Sequence, residues 1–343
     1  MNRKEFLKST AALGVNSLIL PSNFLSSWLE EDPMIKGQGN KRYKMNSSWC
    51  QASTVSTPVN DCHEMVLDSK NRLILLTNET QNNVIFFDRS GKVLHAWGKE
   101  YPGAHGLTLF DENGSEVLFI CDYLRHEVIK TTLDGKVLMV IPYPKETGEY
   151  SKKEEFKPTE TAISPNGDIY IADGYGKDFV IQYDSTGKYI RHFGGRGKHD
   201  GNLLNAHGIT VDYRQKEPIL MVTSRMQHCF KTYTMDGKYL DTIFVNGAQV
   251  CRPVIKGDYV YSAALKDSLL GRGFVVILDK NNQVVSCVDG TAPEYVNGQL
   301  SKKIKAEKTW FTHPHDVCID NDENIYVAQW NSKKVYPYQL IPV

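Results

Sequence analysis

The chain carries no net charge and contains no long apolar segment. Its 343 residues include 40 basic and 40 acidic side chains, and 41% of all residues are hydrophobic. A balanced charge removes the attraction for phosphates on which nucleic-acid binding largely depends. No apolar run reaches the roughly 18 residues that a transmembrane helix requires. We therefore expect a packed globular protein with no nucleic-acid partner and no integral membrane span.

Paired cysteine motifs are also absent. The seven cysteines are scattered along the chain, and none belongs to a Cys-x-x-Cys pair. This pattern indicates neither a zinc knuckle nor a dithiol redox site. Single scattered cysteines are typical of small buried apolar side chains, although the sequence neither names nor excludes a disulfide.

The first 30 residues differ in composition from the rest. The basic segment Arg3–Lys8 precedes a short apolar run over residues 10–20. This order is typical of an export signal, and the basic segment resembles a twin-arginine signal whose second arginine is replaced by lysine. We therefore expect residues 1–30 to be a leader and the protein to be periplasmic or extracellular. An amphipathic N-terminal helix on a cytosolic protein is the alternative.

The remainder of the chain repeats one pattern six times. Short apolar strands alternate with turns rich in Gly and Asp, as in residues 71–92, 117–136 and 168–188. Four short strands per unit predict the blade of a β-propeller. We expect an all-β, six-bladed propeller over residues 59–343. Residues 31–58 should contain a linker and a strand, at about 43–57, that completes the last blade beside the C-terminal strands.

One position of the repeat carries histidine in several copies. His105 and His207 each stand in Ala-His-Gly, His315 stands in Pro-His-Asp, and His63 stands in Cys-His-Glu. A packed core needs repeated apolar positions and does not need a repeated imidazole. Each histidine begins the first strand of its blade, and first strands line the central channel. Because imidazole is the commonest metal ligand, we predict a metal site at one mouth of this channel.

The predicted ligands are His105, His207 and His315, with His63 and His313 as additional candidates. The equivalent position holds Thr159 in a further copy, and lies near Cys251 in the poorly aligned fifth copy. Three protein nitrogens and one open position are typical of catalytic zinc. The alternative is that the histidines are ordinary polar side chains of a wet channel.

Other residues should form the wall of the same pocket. They follow the second strand of four blades and leave it on the side of the histidines; they are Tyr123, Tyr175, Arg225 and Trp330. Loops on a rigid scaffold commonly carry function. Thr159 and the adjacent Glu160 complete the expected pocket. Capping of the blade core is the alternative for Tyr123 and Trp330.

With these segments the chain resembles the NHL-repeat propellers and, within them, the peptidyl-α-hydroxyglycine α-amidating lyase domain, over roughly residues 60–343. The resemblance rests on Ala-His105-Gly-Leu, Ala-Asp173-Gly-Tyr175, Ala-His207-Gly-Ile, Arg225 after Met-Val-Thr-Ser, and Pro-His315-Asp316-Val. It implies that the three histidines bind a catalytic zinc and that Tyr175 is the candidate base. It further implies that Arg225 anchors the substrate and that Asp316 contacts a ligand or the substrate.

The chain departs from this family at four places. The family's cysteine after the tyrosine, which forms a disulfide, is Gly176 here, and its methionine before Pro-His-Asp is His313. The family's first-blade arginine has no counterpart in residues 77–80, and His63 is an additional histidine. These departures retain the metal pattern and change the substrate wall.

The resemblance implies an exported metal-dependent lyase that cleaves a carbinolamide-type C–N bond or acts on a related small substrate. We expect Zn²⁺ or a similar divalent ion as cofactor, with a structural Ca²⁺ as a second candidate ion. The expected substrate is a small molecule or is derived from a peptide, and the expected protein is a monomer.

Two other functions stay open at this point. One is a metal-dependent hydrolase of the esterase or lactonase type, with Asp316 or Glu160 as base. The other is a non-catalytic propeller that binds glycan or protein. A deep mouth with Arg225 and Tyr175 turned inward favours an enzyme, whereas a flat apolar rim favours a binding module.

Overall fold

The computed structural model describes residues 34–268, 271–308 and 310–343. The expected leader at residues 1–30 lies outside them. The described chain forms six antiparallel sheets and one separate two-stranded hairpin. Its helical elements are three short 3-10 turns, at Lys145–Thr147, Lys153–Glu155 and Arg225–Gln227. In these ranges no helix combines the length and apolarity of a membrane span. The prediction of an all-β, six-bladed propeller is confirmed.

Two short strands, β1 (Ile35–Gln38) and β2 (Lys41–Asn46), precede the first complete blade. Blade 1 contains β3 (Cys62–Leu67), β4 (Leu73–Thr77), β5 (Val84–Phe87) and β6 (Val93–Trp97). Blade 2 contains β7 (Ala104–Glu112), β8 (Ser115–Asp122), β9 (Glu127–Thr132) and β10 (Val137–Ile141). Blade 3 contains β11 (Glu160–Ile163), β12 (Ile169–Ala172), β13 (Phe179–Tyr183) and β14 (Tyr189–Gly194).

Blade 4 contains β15 (Ala206–Asp212), β16 (Ile219–Ser224), β17 (Cys229–Thr234) and β18 (Tyr239–Phe244). Blade 5 contains β19 (Ala248–Val250), β20 (Val254–Lys256), β21 (Tyr259–Asp267), β22 (Phe274–Leu278) and β23 (Val284–Val288). The separate hairpin consists of β24 (Tyr295–Val296) and β25 (Gln299–Leu300). Blade 6 contains β26 (Pro314–Ile319), β27 (Ile325–Gln329) and β28 (Tyr338–Pro342).

The inner strand of blade 5 is divided into two pieces. Both β19 and β20 pair with β21, and the residues between them are Cys251, Arg252 and Pro253. Proline has no backbone N–H and cannot donate to a ladder. The interruption at Pro253 explains why the fifth copy of the repeat aligns poorly in the sequence.

The core lies between neighbouring blades. Every residue of β4, β5 and β12 is buried, because each middle strand packs against a blade on both faces and therefore reads as a continuous apolar run. The layer between blades 1 and 2, for example, contains Ile74 and Leu118. The outermost strand β10 instead exposes several apolar side chains. All seven cysteines lie in the described residues as free thiols, and six of them are buried.

The two ends of the described chain share the sixth sheet. Its strand order is β1-β2-β28-β27-β26, and Met45 of β2 lies opposite Leu340 of β28. The closing strand therefore spans Lys41–Asn46 instead of about 43–57, and β1 adds a fifth strand. After β2 the chain leaves the sheet, since the ring of Trp49 packs between Phe87 and Tyr326 at centroid distances of 5.5 and 4.8 Å.

Candidate metal centre

Four buried histidines meet where the inner strands begin. The ring centroids of His105 and His315 are 4.8 Å apart. His207 lies 4.7 Å from His105 and 4.8 Å from His315. His63 lies 4.8 Å from His105 and 4.9 Å from His315. Two nearly equilateral triangles of imidazoles therefore share the His105–His315 edge, and we call these four residues the histidine cluster.

A β-bulge accompanies each member of the cluster. Each histidine is the second residue of its strand, in β3, β7, β15 and β26. In all four strands the register slips by one residue beside the histidine, for example between Ala104 and Leu107. A bulge bends its strand locally and redirects a side chain. In β11, by contrast, the pairing with β12 runs without a shift, and Thr159 lies just before the strand.

Hydrogen bonds fix the tautomers of two of the rings. Nδ1 of His105 donates to the carbonyl oxygen of Thr159 at 2.8 Å, and Nδ1 of His315 donates to that of His63 at 2.9 Å. A carbonyl has no proton to give, so each Nδ1 carries the hydrogen and each Nε2 carries a lone pair. Metal-binding histidines almost always donate their second nitrogen in this way. Thr159 thus contributes a backbone carbonyl to the site.

Burial keeps the cluster neutral. It lowers the pKa of His63 to about 3, and lowers the pKa of His105, His207 and His315 well below the ordinary value. Removal of water from around the charged ring is the main cause, and the positive charge of Arg225 adds to it in all four cases. A neutral imidazole is the form that binds a metal ion.

Three ring nitrogens of the cluster are buried without a hydrogen-bond partner among the described residues. They are Nδ1 and Nε2 of His63 and Nδ1 of His207. A buried polar atom left unpaired costs about 1–3 kcal/mol. An all-imidazole donor set with unpaired nitrogens fits Zn²⁺, Cu²⁺, Fe²⁺ or Ni²⁺. The residues present therefore fit a transition-metal ion.

The histidine grouping that is tightest by ligand atoms differs from the expected set. Ligand atoms of His63, His105 and His315 all lie within 4.8 Å of one another. This grouping contains His63 in place of His207, although His207 is equally close to the shared pair by ring centroid. Nε2 of His207 lies 3.2 Å from the hydroxyl of Tyr175. By ligand atoms and by ring centroids together, all four rings belong to one cluster.

Tyr175 connects the cluster to the solvent. Its hydroxyl lies 2.9 Å from Nε2 of His105 and 3.2 Å from Nε2 of His207, while 36% of the residue is exposed. Since Nε2 of His105 carries a lone pair, the hydroxyl donates to that atom. Burial of the hydroxyl end raises the pKa of Tyr175, and the charge of Arg225 partly opposes this effect.

Arg225 is held beside the fifth blade. It begins the 3-10 turn after β16 and is 5% exposed. Its Nη2 donates to Sγ of Cys251 at 3.0 Å, and its Nε donates to the carbonyl oxygen of Val250 at 3.4 Å. Arg225 and Tyr175 therefore both turn inward at the end of the channel that holds the histidines.

A second ring of charged residues lies one position further along the inner strands. It consists of Glu64, Glu160, Arg252 and Asp316, and the other two blades carry Gly106 and Gly208 at the equivalent position. A Cβ on Gly106 would approach the carbonyl oxygen of Thr159 to 2.5 Å, and one on Gly208 would approach Cα of Arg252 to 2.4 Å. Only glycine leaves room there for the charged neighbours.

Arg252 is the cation of this second ring. Its Nε and Nη2 donate to Asp316 at 3.1 and 2.7 Å. Carboxylate oxygens of Glu64 and Glu160 lie 3.8 and 3.7 Å from its Nε. Burial raises the pKa of all three carboxyl groups, while the guanidinium opposes that rise. The sequence interpretation missed Glu64 and Arg252, although both follow the histidine position of their repeats.

Not every residue that was expected at the metal centre lies there. His313 is outside the cluster: its ring contacts Trp330 at 5.8 Å, and its nitrogens face the carbonyl oxygens of Asn331 and Gly271. Tyr123 belongs to the wall, with its ring 5.6 Å from that of Tyr175. Asp316 lies in the second ring, fully buried in the ion pair with Arg252 and not at the mouth.

The far end of the channel opens into a different cavity. This cavity has a volume of about 620 Å³ and is lined by later residues of the inner strands, including Leu109, Ile163 and Val211. Arg252 lines it, and none of the four histidines does. The second ring therefore separates the histidine cluster from the opposite cavity.

Comparison with known proteins finds similarity to amidating lyases and to an NHL-repeat protein. No known protein-family profile matches the chain. It is 26% identical over 273 residues to peptidyl-alpha-hydroxyglycine alpha-amidating lyase 1 of Drosophila melanogaster. The matched region covers 73% of this chain and 47% of that protein. It is 23% identical over 272 residues to peptidylglycine alpha-amidating monooxygenase of Rattus norvegicus, which covers 76% and 25%. The chain thus spans about half or less of these relatives.

A further relative and two solved structures agree with the fold. NHL repeat-containing protein 3 of Homo sapiens is 24% identical over 179 residues, which is 50% of this chain and 51% of that protein. A streptogramin B lyase structure has a TM-score of 0.55 at 13% identity and covers 83% of this chain and 94% of its own. Virginiamycin B lyase from Staphylococcus aureus has a TM-score of 0.53 at 12% identity, with 89% and 88% covered.

Likeness to these structures shows the fold alone, because their identity to this chain is low. The curated relatives confirm the resemblance that the motifs indicated. The chain is a six-bladed β-propeller similar to the amidating lyases and to NHL-repeat proteins.

Proposed function

We propose that the protein is a metal-dependent lyase that cleaves the C–N bond of a carbinolamide-type substrate such as a peptidyl-α-hydroxyglycine. The observation that carries this proposal is the hydroxyl of Tyr175, which lies within 3.2 Å of Nε2 on both His105 and His207. An ionisable hydroxyl therefore lies against the candidate metal ligands. The amidating lyase among the relatives supports the reaction class, at low identity.

His105, His207 and His315 would hold the ion, for which zinc or a similar divalent metal is suited. When bound, such an ion polarises an oxygen of the substrate and stabilises negative charge on it. The carbonyl oxygens of Thr159 and His63 keep two of the rings oriented for this task.

Tyr175 would act as the general base. In its phenolate form it takes the proton from the α-hydroxyl of the substrate. The hydroxyl oxygen becomes a carbonyl oxygen as the C–N bond breaks with its electron pair on nitrogen, and Tyr175 returns the proton to that nitrogen, giving an amide and an α-oxo acid. Burial raises the pKa of Tyr175 and disfavours the phenolate, whereas the charge of Arg225 favours it. A divalent cation nearby would favour it further.

Arg225 would bind the carboxylate of the substrate. A guanidinium has five N–H donors in a planar fork that matches a carboxylate, and the contacts with Cys251 and Val250 use Nη2 and Nε. Donors therefore stay available for a ligand. The low exposure of the residue, 5%, strengthens such a charged contact because little water competes with it.

The hydrolase alternative has weaker support. Its candidate bases, Asp316 and Glu160, are both fully buried in the second ring around Arg252. The inward positions of Tyr175 and Arg225 also favour an enzyme over a glycan- or protein-binding module. The composition of residues 1–30 supports export of this enzyme to the periplasm or the extracellular space.

Metal content and product analysis on the purified chain test this proposal together. We expect about one divalent ion per chain by mass spectrometry, and release of an amide and an α-oxo acid from an α-hydroxyglycine peptide. His207→Ala should bind the ion more weakly and lose the activity. His313→Ala is the matched control and should retain both, because His313 lies outside the cluster.

Two results would contradict the proposal. Undiminished lyase activity in His207→Ala would show that the cluster does not carry the reaction. A wild-type chain that contains no metal and takes up none would leave a polar channel, and the binding-module function would then be the better explanation.

A further inference from the structure

We infer that His63 is a fourth protein ligand of the ion, so that the metal centre is a four-histidine site. This inference rests on the proposed metal centre and extends it, since the three-histidine pattern of the resemblance does not include His63. The additional ligand changes which ions the site can use for chemistry.

The position of His63 matches that of the other three rings. It forms a triangle with His105 and His315 that has nearly the same dimensions as the triangle formed by His207. Ligand atoms of His63, His105 and His315 lie within 4.8 Å of one another. A one-residue bulge between Cys62 and Glu64 directs the side chain as it does in the other three strands.

The ring nitrogens of His63 are free to bind a metal ion. The residue is 2% exposed, and neither of its ring nitrogens has a hydrogen-bond partner among the described residues. A neutral imidazole carries one donor and one acceptor, so both capacities are unused. A bond from one nitrogen to a metal ion would use the acceptor. An apolar side chain of similar size would fill the same space without the cost of burying two polar atoms.

The second ring offers no competing partner for His63. The carboxylates of Glu64, Glu160 and Asp316 face the guanidinium of Arg252, and Oε2 of Glu64 and Oδ2 of Asp316 also accept backbone N–H groups of Leu107 and Met65. Among the described residues, none of these carboxylates hydrogen-bonds to a ring nitrogen of His63, and Oε2 of Glu160 has no hydrogen-bond partner either.

A fourth imidazole leaves fewer open coordination positions on the ion for a substrate. Tetrahedral zinc with four protein ligands has no open position, whereas catalytic zinc keeps three protein ligands and one open position. An ion with four imidazoles binds substrate only if it accepts five or six ligands. Among the ions suited to imidazole, Fe²⁺, Ni²⁺ and Cu²⁺ accept such geometries. These ions therefore suit catalysis at a four-histidine site, and zinc would suit it only by expanding to five ligands.

Cobalt substitution reports the number of ligands without any measurement of activity. The metal-free full-length chain is titrated with Co²⁺, and its visible absorption is recorded for the wild type, His63→Gln and the control His313→Gln. Four-coordinate Co²⁺ absorbs strongly and five- or six-coordinate Co²⁺ absorbs weakly. We expect one Co²⁺ with weak bands in the wild type and in His313→Gln. In His63→Gln we expect at least about tenfold weaker binding and changed bands.

The outcomes separate this inference from the proposed function. Wild-type affinity and an unchanged spectrum in His63→Gln would overturn the fourth ligand and leave the three-histidine centre standing. Failure of the wild type to bind Co²⁺ or any other divalent ion would overturn both. Near-ultraviolet circular dichroism verifies the fold of each metal-free variant. If His63→Gln does not fold, His63→Phe fills the same space with an apolar ring, and the same loss of affinity is expected from it.

Discussion

Arg252 holds Asp316 through two hydrogen bonds, of 3.1 and 2.7 Å, directly beneath the histidine cluster. Asp316 also accepts the backbone N–H of Met65 at 2.9 Å. The ion pair therefore ties blades 5, 6 and 1 together inside the channel. Asp316 directly follows the candidate ligand His315 in the chain. The ion pair with Arg252 therefore helps to hold that histidine in position.

Asp316→Asn should destabilise the propeller by about 3–5 kcal/mol, because it leaves the guanidinium of Arg252 buried without its main partner. Chemical denaturation measures the change. Asp322→Asn is the matched control: Asp322 pairs with Arg89 while 67% of its side chain is exposed, and a surface pair contributes at most about 1 kcal/mol. Equal losses in the two variants would contradict the assignment.

Tyr175→Phe should reduce kcat for the proposed reaction by about 10²–10⁴-fold, the usual contribution of a general base. Metal content should stay unchanged, because the substitution removes a hydroxyl and none of the candidate ligands. Tyr123→Phe, in the same wall, should have little effect on kcat. Loss of the metal in Tyr175→Phe would instead identify the hydroxyl as part of the metal site.

Gly208→Ala should destabilise the chain by about 1–3 kcal/mol and weaken metal binding, because the new Cβ must displace backbone. The nearest atom would be Cα of Arg252 at 2.4 Å, beside the candidate ligand His207. Gly201→Ala is the control, since its Cβ would have Tyr239 Cβ at 3.9 Å as its nearest neighbour. Thermal unfolding and a metal titration of both variants measure the difference, and equal behaviour would refute the steric explanation.

The stability of the protein should depend on pH through Asp173. Burial raises the pKa of this carboxyl to about 7, although Tyr150 donates to it at 2.6 Å. The ordinary pKa of an aspartate is about 3.9, so between these two values the folded state binds more protons than the unfolded state. The free energy of unfolding therefore falls as pH rises from about 4 to about 7 and levels off above that.

Tyr150→Phe removes a hydrogen bond to the charged form of Asp173. The loss should be about 1.5–3 kcal/mol at pH 8, the usual size for a bond to an ionised group, and smaller at pH 5, where the carboxyl is protonated. Denaturant unfolding at the two pH values measures it. Tyr183→Phe, in the same core layer, should give a loss that does not change with pH. If the loss of unfolding free energy in Tyr150→Phe is also the same at both pH values, Asp173 is not the titrating group.

The sequence was sufficient for the architecture and for the convergence of His105, His207 and His315. Repeated strands and turns predict the blades, and the shared position predicts that these histidines meet, while it left open whether His63 or His313 joins them. Such a prediction needs only equivalent positions in equivalent blades, which a closed ring brings to one axis.

Details that depend on side-chain direction were not predictable in the same way. His313 lies two residues before His315, but β26 begins at Pro314, so His313 lies outside the strand that carries His315 to the axis. The sequence did not predict Arg252 as a site residue, because Pro253 interrupts the inner strand and obscures the alignment of the fifth copy. The end of β2 at Asn46 depends on the packing of Trp49 against another blade, which no local pattern encodes.

The pairing of β2 with β28 also has a consequence for folding. His315 belongs to β26 of that sheet, so the blade that carries this candidate ligand is complete only after Lys41–Asn46 pairs with Tyr338–Pro342. Pairing between segments this far apart in sequence is slow, because a long loop must close first. We expect the other five blades to form before His315 reaches its final position.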